Sequence, residues 1–359
     1  MRADRPSRHC ATTEPCSHER VNRLFALSLL LVIGCGDAAN GAATEASDAG
    51  AAAVDGRGGG QDGAAAGNDA STPVDGGRPT AVDPGSMTSP ARIYSADGTV
   101  FVVDDAEKAI THVLTAASRH VIVYVHGRSC GGGGEPSKSL GDAIPEMEST
   151  YGGKVLMFTW PGSSSGCPLG FPEAEARASG TALSHVLHKL AFALGSNAAL
   201  AGVTMTLVTH SMGNLVLEEA LARDTRPLPA TLFATALLSS SATALAGHAA
   251  WLSHLTFAPK VYVSENDGDN VLTAAGLGNG TRLGKKLGAE PLAPNAVYVD
   301  FTAANVNHAY YLHSGQKGAH MAPFYDAIMA GQPYDFSKSN AITRTESRNG
   351  TFVYVFDGR

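Results

Sequence analysis

The sequence predicts one α/β domain, a mostly parallel sheet with helices on both faces. Three observations predict it. From about Ala91 onward, short Val-, Ile- and Leu-rich runs alternate with stretches of helical periodicity. Most of those runs are nearly continuous in apolar residues, as in strands covered on both faces. Strand–helix alternation implies parallel strands joined by helical crossovers. No internal repeat is present, so residues 91–359 read as a single domain.

The segments ahead of that domain differ in kind. The apolar run Leu24–Ile33 is about half as long as a helix that crosses a bilayer. Arg20 and Arg23 precede it and Gly34-Cys35 follow it, the layout of a secretory signal. Val32-Ile33-Gly34-Cys35 resembles a bacterial lipobox. That resemblance implies that residues 1–35 are a signal peptide and that Cys35 is lipidated and becomes the mature N-terminus. A start at Val21 would make Cys10 and Cys16 irrelevant. Gly36, not Asp, follows Cys35, so the expectation is export to the outer membrane, periplasm or cell surface of a Gram-negative host. Gly36 to Pro90 has no Leu, Ile or aromatic residue. Such a segment cannot bury enough apolar area to offset the entropy of ordering it, and it reads as a flexible tether.

Within the domain the predicted strands are Thr99–Val103, His120–His126, Lys154–Thr159, Val203–Thr209, Leu232–Ser239, Lys260–Ser264 and Ala296–Phe301. A helix is expected over Glu173–Leu194, where Leu183, Val186, Leu187, Leu190 and Leu194 share one face. A second follows Ser211 and carries Leu215, Leu217 and Leu221.

The chemistry concentrates where Val203–Thr209 runs into His210-Ser211-Met212-Gly213-Asn214 and then into that helix. A serine on a sharp strand-to-helix turn is lifted clear of the sheet, and the positions two before and two after it must be small. Gly213 meets this condition, whereas Thr209 stands where the strict motif has glycine. The helix start offers unpaired amides, and that of Met212 can face a developing oxyanion. A serine capping an ordinary helix would look the same in sequence. Further on lies the acidic loop Glu265-Asn266-Asp267-Gly268-Asp269, whose composition also suits a plain turn. Three histidines, His308, His313 and His320, follow the last core strand.

Four segments occur in order: Tyr124-Val125-His126-Gly127, Phe158-Thr159-Trp160-Pro161, His210-Ser211-Met212-Gly213-Asn214 and His308-Ala309-Tyr310-Tyr311. Together they resemble a bacterial family of poorly characterised α/β-hydrolases in the serine esterase and lipase superfamily, over roughly Tyr124 to Tyr311. In that group the elbow often begins with Ala or Gly, so Thr209 is a departure. The resemblance implies the α/β-hydrolase fold and a chain order of nucleophile, acid and base. Ser211 is then the nucleophile and His308 the base, with His320 the alternative. Asp267 matches the acid position best, with Asp269 and Glu265 still open. The strand ending Ser239-Ser240-Ser241 has no carboxylate to offer. The resemblance also places an oxyanion donor at the Gly127 or Arg128 amide, with the His126 side chain structural.

The net charge of −7 and the lack of a basic run argue against a nucleic-acid partner. No metal-ligand spacing occurs, His185 and His188 lie on a helix without nearby carboxylates or Cys, and no cofactor is expected. Cys130 and Cys167 sit in loops just after strands, and in an exported protein they are expected to form a disulfide. The expected substrate is a small or lipid-like ester or other acyl compound. An amidase or peptidase, or a surface protein that binds without catalysing, are the alternatives, since fold does not settle substrate.

Overall fold

The computed structural model describes residues 81–128, 138–162, 171–277, 280–312 and 321–357. Cys35, Cys130, Cys167, Gly131–Gly134, His313 and His320 lie outside these, as do the signal segment and nearly all of the tether.

In chain order the elements are β1 (Arg92–Ser95), β2 (Val100–Val102), α1 (Ala106–Val113), β3 (His120–Val125), α2 (Lys138–Tyr151), β4 (Lys154–Thr159), α3 (Glu173–Ala178), α4 (Gly180–Ser196), β5 (Thr204–His210) and α5 (Gly213–Arg223). There follow β6 (Thr235–Ser239), α6 (His248–Leu252), β7 (Val261–Glu265), α7 (Asn270–Gly276), β8 (Ala296–Asp300), α8 (Met321–Met329), β9 (Ile342–Arg348) and β10 (Thr351–Phe356). The strands form one sheet in the order β2-β1-β4-β3-β5-β6-β7-β8-β10-β9. Strands β3 to β8 and β10 run parallel, while β1 is antiparallel to β2 and β4 and β9 is antiparallel to β10.

Alternation along β3 shows why its apolar run is continuous. Val121, Val123 and Val125 enter one core with helical residues such as Ile110, Leu183, Leu187 and Leu215. Ile122 and Tyr124 enter the other, with Ile144 and Met147 of α2 and Phe324 and Ile328 of α8. Both faces of the sheet are therefore covered, and no position on the strand can be polar without a partner.

Each predicted strand is present, but the edges carry three more. β1 is too short to show a period. β9 is polar after Ile342 and has no buried position, on the sheet edge. β9 and β10 meet through Asn349-Gly350, both left-handed at φ 52° and 79°, the two-residue hairpin such a pair favours. The helix expected over Glu173–Leu194 is two, α3 and α4. Gly180 begins the second and packs so closely on α5 that a Cβ there would stand 2.7 Å from Glu219 Cβ. The tether boundary at Pro90 also needs correction. Residues 81–90 have no regular structure, yet Ala81 and Met87 pack on the core. The Met87 amide donates to Asp104 Oδ1 at 2.8 Å and Lys189 pairs with Asp83 at 2.8 Å. Composition missed this because the contacts come from residues distant in sequence.

Candidate active site

β3 lies between β4 and β5, so the chain leaves its end in one direction and returns on the other side. The crevice at such a reversal, beyond the carboxyl ends of the strands, is where open α/β sheets bind ligands. His126-Gly127 and Ser211 flank it.

Ser211 joins β5 to α5 with φ 53°, a left-handed conformation for a residue with a side chain. Such a backbone costs about 1–3 kcal/mol and persists only where surroundings over-determine it. Here its N–H donates to Ser239 O at 3.0 Å, and its carbonyl accepts the Ala242 and Asn214 amides, each at 3.1 Å. Asn214 adds a side-chain lock, donating to Ser211 O at 3.1 Å and Thr209 O at 3.3 Å. The Thr209 hydroxyl donates to Asn214 Oδ1 at 2.7 Å. The departure at Thr209 thus completes the network that holds the turn. A Cβ on Gly213 would meet Val125 O at 2.5 Å and His126 O at 2.6 Å, so only glycine lets α5 approach β3. Gly127 touches Ser211 in the same way, its ideal Cβ falling 2.8 Å from Ser211 Cβ.

His126 is structural, as the sequence suggested. Its Nδ1–H donates to Gly127 O at 2.5 Å, and Nε2 accepts the Trp160 amide at 3.3 Å. The Trp160 indole N–H returns to His126 O at 2.9 Å, and the rings stack at 5.5 Å. Burial holds this histidine down at about 4, hence neutral. The His-Gly and Trp-Pro segments are therefore one unit that fixes the Gly127 loop beside Ser211. The Arg128 guanidinium lies 5.1 Å over the Phe171 ring.

On the other side His308 donates from Nδ1 to Asp269 Oδ2 at 2.6 Å. The Asp269 side chain is fully buried, and its other oxygen accepts the Leu272 amide at 3.0 Å, capping α7. A carboxylate is favoured at a helix N-terminus, so one residue both starts the helix and orients the imidazole. This corrects the expectation for Asp267. Its carboxylate faces Lys285 and Lys286, each at 3.2 Å, and is half exposed. Burial pushes its carboxyl up, but the hydrogen bonds from the two lysines outweigh this and leave it below the usual range. Glu265 ends β7 pointing elsewhere, into a cavity of about 260 Å³ that Asp300 and Arg348 also line. Among the described residues, no hydrogen bond joins the Ser211 hydroxyl to His308, and such contacts are often long before substrate binds.

Strand order and the strained turn between β5 and α5 decide the architecture. The chain has the α/β-hydrolase fold. Residues 103–227 match the family model described as alpha/beta hydrolase of unknown function (DUF900). That stretch holds the turn at Ser211 and the Gly127 loop and ends before Asp269 and His308. No protein of curated function matches the chain. Among solved structures it is similar to a hyperthermophilic esterase of the archaeon Pyrobaculum calidifontis, at 15% identity over 60% of this chain and 78% of that one, TM-score 0.33. An esterase/lipase from an uncultured bacterium is similar at 13% identity over 70% of this chain and 93% of that one, TM-score 0.31. A Pyrococcus furiosus esterase is similar at 12% identity, covering 61% and 82%, TM-score 0.30. Likeness at this level assigns no substrate.

Among the described residues no cluster of three His, Cys, Asp or Glu side chains can hold a metal. His185 and His188 do have carboxylates, Asp104 at 2.6 Å and Asp224 at 3.3 Å, both brought from far along the chain. Those pairs border cavities away from the elbow. The cavity of about 370 Å³ beside His188 is lined by Leu228 and Phe257, which precede β6 and β7. It therefore sits at the opposite edge of the sheet.

Proposed function

We propose that this chain is a serine hydrolase that cleaves an ester or related acyl bond. Ser211 is the nucleophile, His308 the base and Asp269 the acid. One observation carries the reading: a strained serine at the sheet's switch point adjoins His210, whose ring lies 4.7 Å from a histidine held by a buried, helix-capping carboxylate. With Nδ1 committed to Asp269, the other ring nitrogen of His308 takes the Ser211 proton and later returns it to the leaving group. Ser211 Oγ adds to the acyl carbon, and the amides of Met212 and of Gly127 or Arg128 hold the oxyanion. Water then releases the acyl group by the same route reversed.

A fluorophosphonate probe tests this, since only an activated serine is phosphonylated. Mass spectrometry is expected to find the adduct on Ser211, and Ser211→Ala is expected to abolish both adduct and ester hydrolysis. A wild-type protein that stays unlabelled and inactive across esters of increasing chain length refutes the reading.

The surroundings of the enzyme are part of the proposal. The basic-apolar-Cys35 layout supports export with a lipid on Cys35, and an intact mass showing an unmodified N-terminus elsewhere would overturn it. Cys130 and Cys167 follow the ends of β3 and β4, which are adjacent and parallel, and this supports a disulfide between their loops. Thiol titration of the exported protein is expected to find neither cysteine free.

A further inference from the structure

Two side chains from different strand ends converge on one backbone oxygen of the base. His210 donates from Nε2 to His308 O at 3.1 Å, and Ser240 donates from Oγ to the same atom at 2.7 Å. A carbonyl has two lone pairs, so this one is fully engaged. We infer that His210 and Ser240 are positioning residues, which clamp the main chain of His308 and so set where its imidazole stands relative to Ser211. The inference rests on the serine-hydrolase reading above.

The clamp stands on strained, closely packed backbone. Ser240 is fully buried and, like Ser211, left-handed, at φ 46°. Its neighbour Ser239 accepts the Ser211 amide at 3.0 Å, so the end of β6 holds nucleophile and base by successive residues. Gly284 closes over the turn, donating to Ser241 O at 2.8 Å, and a Cβ on it would fall 2.4 Å from the Ser240 carbonyl carbon. His210 is equally confined. Its ring lies 4.7 Å from those of His308 and Tyr311, and its Nδ1 is 3.1 Å from where a Gly127 Cβ would be. Tyr311 is tied in turn, its hydroxyl to Tyr124 at 2.6 Å and its carbonyl to Tyr151 at 2.6 Å. One nitrogen of His308 is held by Asp269, its carbonyl by the clamp, and the remaining ring nitrogen is the one left for Ser211. The β6 end has no carboxylate, and a hydroxyl there supports the base instead of charging it.

The test uses Ser240→Ala, Ser240→Gly, His210→Phe and His210→Gln, with the Ser240→Ala/His210→Phe double variant. Ser240→Ala and His210→Phe are each expected to lower kcat about tenfold with KM within about twofold, as when a single neutral hydrogen bond is lost. His210→Gln keeps a donor and is expected to recover most of the rate. Ser240→Gly relieves the backbone strain but removes the donor, so it is expected to be as slow as Ser240→Ala while melting no lower. The double variant is expected to lose more than the product of the singles, because the two donors share one acceptor. A second readout needs no turnover: the Nδ1–H proton resonance of His308 is expected to shift and broaden in the double variant. A folded double variant with unchanged kcat and an unmoved His308 resonance overturns the clamp. So does an equal loss in His210→Gln and His210→Phe. If wild-type Ser211 is not phosphonylated, the hydrolase reading fails separately, and the His308 resonance alone then decides whether the clamp exists.

Discussion

At the residue scale, three carboxylates in five positions have separate duties. Asp269 meets His308 and caps α7, Asp267 meets two lysines, and Glu265 is buried without a partner for Oε2. Asp269→Asn keeps a good N-cap, so stability is expected to change little. Its amide cannot hold the required imidazole tautomer, and kcat is expected to fall about 10³- to 10⁴-fold. Asp267→Asn is expected to leave kcat within about twofold, since losing an exposed ion pair costs little. Steady-state hydrolysis of one ester by both variants checks the assignment, and the reverse order would restore Asp267. The strain at Ser211 makes a separate prediction. Ser211→Gly and Ser211→Ala both remove the hydroxyl, but only glycine relaxes φ 53°. The glycine variant is expected to be the more stable, by about 1 kcal/mol in urea unfolding. Equal stabilities would mean that the elbow stores no strain.

At the element scale, the site depends on how closely α5 approaches the end of β3. Gly213→Ala places a methyl group against two backbone carbonyls that cannot move aside. The expected loss is about 2–4 kcal/mol, read from the urea midpoint, together with lowered activity from a displaced elbow. The far edge of the sheet obeys a different rule. Gly350→Ala forces a side chain into φ 79° and is expected to cost about 1–2 kcal/mol without changing kcat. The β9–β10 hairpin packs remotely from Ser211, with Tyr354 stacked on Phe336 at 3.8 Å and Phe356 on Phe301 at 5.0 Å. A melting temperature lowered at full activity confirms that separation.

At the scale of the whole molecule, buried ionisable groups shape how stability follows pH. Burial, and next the charge of Asp300, push Glu265 up to about 8 from the usual 4.5. The folded protein therefore retains a proton that the unfolded chain loses above about pH 4.5. Stability from this group is full below that point and is lost as pH rises toward 8. His126 works in the opposite sense: held at about 4 against a usual 6.5, it contributes fully above 6.5 and loses this as pH falls toward 4. The two slopes oppose each other between about 4.5 and 6.5, and only that of Glu265 remains between 6.5 and 8. Glu265→Gln carries no titrating proton. Its melting temperature is expected to gain on wild type steadily from pH 5 to 8 and to level off above. A constant gap across that range would show that Glu265 ionises normally in the folded protein.

Much of this was legible from local pattern. Near-continuous apolar runs marked β3 to β8, because a strand covered on both faces has no position for a polar side chain without a partner. Ser211 was legible because a strand, a serine and a glycine two residues on make one local turn. His126 and Trp160, read as separate motifs, proved to be one hydrogen-bonded unit. Thr209 looked like a defect and proved to be a partner of Asn214. The Asn349-Gly350 turn was a hairpin signal in plain view, but its edge strand is polar throughout after Ile342 and resembles loop. Tertiary structure alone decided which acidic residue faces His308. Asp267 and Asp269 stand in the same loop with the same chemistry, and spacing cannot reveal which one points inward. That choice is made where α7 begins: the cap buries Asp269 at its first turn, while Lys285 and Lys286, folded over from the following segment, draw Asp267 to the surface. The clamp on His308 was beyond sequence for the same reason, since its donors and acceptor are joined only when the ends of β5 and β6 meet the segment after β8.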